Sequence, residues 1–129
     1  MTPTQLESDI LIWLSKNAEN PLVALQAGSA KISQRDYTGA GFFVTLQIPA
    51  EIERLPQDSR DVAPFPGPYI ESDGLGHGGA TVFVVENGAI SNLEIFTYGN
   101  VFPERLVDYK LRNIERIMPD KSLTQQDRE

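Results

Sequence analysis

The stretch from Thr81 to Tyr98 constrains the fold more than any other part of this chain. Thr81-Val82-Phe83-Val84-Val85 is an unbroken run of β-branched and aromatic residues, Asn87-Gly88 follows, and Ala89 to Tyr98 returns rich in Ile, Leu, Phe and Thr. Asn and Gly both tolerate positive φ, which a two-residue turn matched to the twist of its strands requires. The segment therefore predicts a tight antiparallel hairpin. On the return strand Ile90 and Leu93 stand three apart, which predicts a bulge at Ser91-Asn92. Beyond it Leu93 and Ile95 share one face, and Glu94, Phe96 and Tyr98 the other.

An isolated hairpin is marginal in water, so it needs partners. One is visible upstream, where Ala40, Phe42, Val44, Leu46 and Ile48 alternate with Gly41, Phe43, Thr45 and Gln47 up to Pro49. Gly39 and Gly41 at its start suggest a bulge or the close approach of another backbone. Ahead of it, Leu6, Ile10, Trp13 and Leu14 fall at helical spacing behind a capping-box start, Thr2 with Gln5 or Thr4 with Glu7. Pro21 ends that helix, and Pro21 to Ala30, with Leu22 to Leu25 apolar, reads as a first strand rather than as an extension of the helical region. From Pro103, Val107, Leu111, Ile114 and Met118 are spaced as a helical stripe that Pro119 stops, with Asp108–Arg112 as an i,i+4 pair. Between positions 49 and 79 lies a long central loop punctuated by Pro49, Pro56, Pro64, Pro66 and Pro68, in which Tyr69-Ile70 begin a strand. Strands in the middle with helices at both ends predict an α+β fold: a single antiparallel sheet, flanked by N-terminal and C-terminal helices. Residues 1–119 form one domain in this reading, and 120–129 a polar tail.

Composition narrows the function. There is no cysteine, which removes disulfides and thiolate chemistry and fits a reducing compartment. With 11 Lys and Arg against 18 Asp and Glu, the net charge of −7 opposes binding to nucleic acid or anionic lipid and would attract a basic protein partner, although solubility is the commoner reason for an acidic surface. The apolar run Ile10 to Leu14 is far short of a membrane span, and no basic leader precedes an apolar run at the N-terminus. A soluble, cytoplasmic protein is expected.

Chemistry-bearing residues concentrate in Glu71-Ser72-Asp73-Gly74-Leu75-Gly76-His77-Gly78-Gly79, which holds the only histidine. His77 beside Glu71 or Asp73 is a general-base or ligand candidate; otherwise the segment is a glycine-rich turn. One histidine without cysteine does not make a typical closed zinc site, the P-loop Lys is missing, and no G-x-S-x-G elbow occurs. No catalytic set, metal or cofactor is assigned. Tyr37 and Tyr98 are candidates to line a pocket with Phe43 and Phe96, although aromatics on a sheet face more often pack beneath a helix. Glu94, a carboxylate inside an apolar strand, either faces solvent or pairs with Arg35 across strands.

Tyr37-Thr38-Gly39-Ala40-Gly41-Phe42-Phe43, Gly74-Leu75-Gly76-His77-Gly78-Gly79-Ala80, and Leu93-Glu94-Ile95-Phe96-Thr97-Tyr98-Gly99 with Pro103 carry a resemblance. They look like the YTGxGFF, GLxHGA and LEGYTYG motifs of a family of small uncharacterised bacterial proteins, over about residues 30–103. Here Ile95 stands where that pattern has Gly, and Gly79 extends the turn. The resemblance implies the sheet and no activity. By analogy with small acidic bacterial proteins, the leading expectation is a non-enzymatic interaction module, such as an immunity-type inhibitor of a basic toxin domain. The alternative is a small-molecule-binding protein or hydrolase with its site near His77, Glu94 and Tyr98.

Overall fold

The computed structural model describes residues 1–56, 63–99 and 101–113. Two helices open the chain, α1 (Gln5–Asn17) and α2 (Pro21–Ser29). Seven strands follow: β1 (Lys31–Tyr37), β2 (Gly41–Gln47), β3 (Phe65–Pro66), β4 (Tyr69–Glu71), β5 (Gly79–Glu86), β6 (Ala89–Thr97) and β7 (Lys110–Arg112). They form one antiparallel sheet in the order β1-β2-β6-β5-β4-β7, with β3 also along β5. The fold is α+β.

The β5–β6 hairpin is as the sequence predicts. Glu86 faces Ala89 across Asn87 (φ 55°) and Gly88 (φ 81°), and both turn residues take the left-handed conformation such a turn needs. The register then slips, with Val85 opposite Ile90 but Val84 opposite Asn92, so Ser91 is the extra residue of a bulge. Below it Leu93 and Ile95 are buried on one face. Gly41 sits so close to the β6 backbone at Ile95 that any side chain would overlap it, which explains the glycine at the head of β2.

α1 starts on a complete capping box: the Thr4 hydroxyl accepts from the Glu7 N–H, and the Glu7 carboxylate accepts from the Thr4 N–H at 2.9 Å. Leu6, Ile10, Leu11 and Leu14 of α1 with Val23 and Ala27 of α2 pack on Ile32, Val44, Leu46, Phe83, Leu93 and Ile95 of the sheet. Both helices thus cover the same sheet face. The segment 21–29 corrects the expected first strand. Asn20 caps a helix by accepting from the Leu22 N–H, and Pro21 occupies the first helical position, where its missing N–H costs nothing. Pro21 both ends one helix and starts the next.

The second correction concerns the C-terminal helix. Residues 103–109 are irregular, Val107 is exposed rather than part of a buried stripe, and 110–112 are strand β7. β4 has a free edge, and β7 supplies its missing partner, with Leu111 opposite Ile70 and Arg112 opposite Tyr69. Arg112 pairs with Glu71 rather than with Asp108. Ile114, Met118 and the polar tail lie outside the described residues. Within the expected central loop, β3 and β4 line β5 in tandem. The Gly67 N–H between them bonds the Thr81 carbonyl, where any side chain would overlap the Thr81 hydroxyl.

Candidate functional site

The register sorts the predicted site residues onto the two sheet faces. In antiparallel pairs directly opposed residues point the same way. Asp36, Phe43, Glu94 and Val82 therefore form one row across β1, β2, β6 and β5, on the face away from the helices. The neighbouring row on that face is Gly41, Phe96 and Ala80. Tyr98 follows Phe96, with its ring edge-on at a centroid distance of 5.7 Å. No described element covers this face. Phe43 is 48 % exposed and Tyr98 49 %, while Val82, Val84, Glu94 and Phe96 are half-buried.

Arg35 and Tyr37 are on the other face, opposite Val44 and Phe42. Of the two readings left open for Glu94, the pair with Arg35 is therefore excluded. Arg35 forks onto the carboxylate of Glu7 instead, with Nη2 donating to Oε1 at 2.7 Å and Nε to Oε2. Glu7 is only 2 % exposed, and Arg35 also donates to the Thr2 carbonyl. The hydrogen bond to Glu7 holds the guanidinium pKa above its ordinary value; burial opposes that shift and the Glu7 charge adds to it. The Tyr37 hydroxyl donates to the Phe102 carbonyl, and its ring leans on Phe42. Both residues fasten the covered face.

The glycine-rich segment is a packed turn. The Tyr69 hydroxyl donates to the His77 carbonyl at 2.9 Å, the Gly78 N–H to the Leu75 carbonyl, and the Thr97 hydroxyl to the Gly78 carbonyl. Gly78 has φ 76°, and a side chain there would run into the Tyr69 ring. The His77 and Asp73 side chains are exposed, and Glu71 is paired with Arg112. His77 sits at the same end of the sheet as Tyr98, on the turn beyond the last ladder pair, Gly79–Thr97. Of the seven candidate residues the structure brings two, Glu94 and Tyr98, onto a shared surface. Phe43 and Phe96, also expected beside Tyr98, share that surface, and the structure adds Asp36 and Val82. Among the described residues no three acidic or imidazole groups come together in a way that could hold a metal ion.

A cleft of ≈ 580 Å³ lies on the opposite side, between the start of α1 and residues 102–109, and none of the seven lines it. Leu6, Phe42, Ile95, Phe102 and Leu106 give it an apolar floor. Its inner polar groups are already engaged, Glu7 by Arg35 and Thr4, and the Tyr109 hydroxyl by Asp9 at 2.6 Å. Burial, then the bond to Asp9 and its charge, push the Tyr109 phenol above its usual value. The cleft is the seam under a strap tied down at Tyr109 and Phe102.

No family model matches the chain, nor does any curated protein or solved structure. No described helix is long and apolar enough to cross a membrane.

Proposed function

We propose that this chain is a non-enzymatic protein-interaction module whose partner is a basic protein, the form of an immunity-type inhibitor that neutralises a basic toxin domain. The observation that supports it is the sheet face that no described element covers. Exposed aromatic rings on a rigid sheet are the side chains most enriched at the energetic centres of interfaces. Here Phe43 and Tyr98 are half exposed, with Asp36 and Glu94 beside Phe43 in the same cross-strand row. The net charge of −7 raises the encounter rate with a partner of opposite sign.

The test is capture of partners from the source cells by the tagged full chain, followed by reconstitution from purified components. A basic protein that binds at low ionic strength, dissociates as salt rises and re-forms a defined complex on mixing is the expected result. Capture of nothing, or of acidic or neutral proteins only, overturns the reading.

A further inference from the structure

We infer that the open sheet face holds a docking slot for a single arginine side chain of the partner, stacked on Phe43 and Phe96 and paired with Glu94; this rests on the interaction reading above.

The slot follows from the order of side chains across the strands. Phe96 is flanked by Gly41 on β2 and by Ala80 on β5, so residues without bulk stand on both sides of its ring. The next row places Phe43 and Glu94 directly opposite each other, diagonal to Phe96 and within reach of aromatic side chains. Tyr98 closes the other side by its edge-on contact with Phe96. The register thus sets two aromatic rings and a carboxylate side by side on one face.

The charges say what fits. Arg35 is committed to Glu7 on the covered face and Arg112 to Glu71. Arg54 is committed to the carbonyls of Ile48, Pro49 and Ile52. On the open face Asp36 accepts from the neutral Gln34 amide, and Glu94 has no cationic partner among the described residues. A guanidinium matches both features. Its flat, weakly hydrated face stacks on aromatic rings, and its N–H fork pairs with a carboxylate. A lysine ammonium matches only the charge.

Two readouts test this together. The first is titration of the isotope-labelled full chain with N-acetylated, C-amidated tetra-arginine, followed by aromatic and backbone resonances, with tetra-lysine of the same form as comparison. The second is partner capture by the same variants. We expect saturable shifts centred on Phe43, Phe96 and Tyr98 and tighter binding of tetra-arginine than of tetra-lysine. Glu94→Gln and Phe43→Ala should each weaken binding by about two- to fivefold, the range for a surface ion pair and for a cation on an exposed ring. Shifts spread evenly over the acidic surface and insensitive to both variants overturn the slot. So does a basic partner that both variants capture as well as the parent, although the interaction reading then survives. Localised arginine binding without any basic partner supports the slot and removes the interaction reading instead.

Discussion

The two faces of this sheet use the same residue types for opposite ends. On the covered face Val44, Phe83, Leu93 and Ile95 are sealed under α1 and α2, and the polar groups that must be there are matched one by one. Glu7 is fully engaged, and Gln26, wholly buried, gives its amide to the carbonyls of Glu53 and Gly88 and accepts from the Ile90 N–H. On the open face, one residue along the same strands, Phe43, Glu94 and Phe96 face outward, and Glu94 has no cationic partner among the described residues. A residue's identity decides little here; which face the strand period assigns it to decides whether it stabilises the fold or remains available for binding.

That contrast is sharpest for two phenylalanines. Phe83→Ala, a fully buried ring, should cost about 3–5 kcal/mol in urea unfolding, whereas Phe43→Ala should cost no more than about 1 kcal/mol. Equal losses would break the distinction between the faces. Next in size is Glu7→Gln, which strands the Arg35 guanidinium and weakens the cap of α1. We expect a loss of about 2–3 kcal/mol, below that of a fully enclosed pair because Arg35 keeps 21 % exposure. Gln26→Leu should lose a similar amount, about 2–3 kcal/mol, by orphaning the Ile90 N–H and the Glu53 carbonyl.

A smaller effect depends on pH. The Tyr109 phenol ionises later in the folded chain than in the unfolded one, so folding holds a proton that the unfolded chain gives up. Its contribution is whole below about pH 10 and is lost as pH climbs from there through the higher folded value. Urea midpoints followed into that alkaline range should therefore fall more steeply for the parent than for Tyr109→Phe. Identical slopes would show that the strap does not stay closed over Asp9. Smallest of all, Glu94→Gln should leave stability within about 0.5 kcal/mol while weakening arginine binding.

What was legible in the sequence was local. The Asn87-Gly88 hairpin, the Ser91 bulge, the alternation of β2 and the Thr4–Glu7 box each depend on residues a few positions apart, and each stands in the structure. That Glu94, Phe96 and Tyr98 share one face was readable for the same reason, but the helix expected over such aromatics is absent there among the described residues, and Phe43 and Tyr98 are half exposed. The misses came from signals with two meanings or from distant partners. Asn20-Pro21 is as good a helix start as it is a stop, and a short apolar run after it fits strand and helix alike. Val107 and Leu111 fit a helical stripe, but the unpaired edge of β4, some forty residues earlier, takes 110–112 as a strand. Asp36 joined the open face only because the irregularity between Ile32 and Gln34 resets β1 against β2. Glu7 and Arg35 met through docking of α1, which no pattern in the chain announces.

The tip of the β5–β6 hairpin looks like the natural place to splice in a tag or a recognition loop, since such tips usually tolerate insertion. Here it is a knot. The Gly88 carbonyl receives both the Gln26 amide and the Leu55 N–H, so α2, the stretch after β2 and the hairpin are tied at one backbone atom. Lengthening that turn would untie three parts of the chain at once. An engineer wishing to decorate this scaffold should leave residues 87–88 alone.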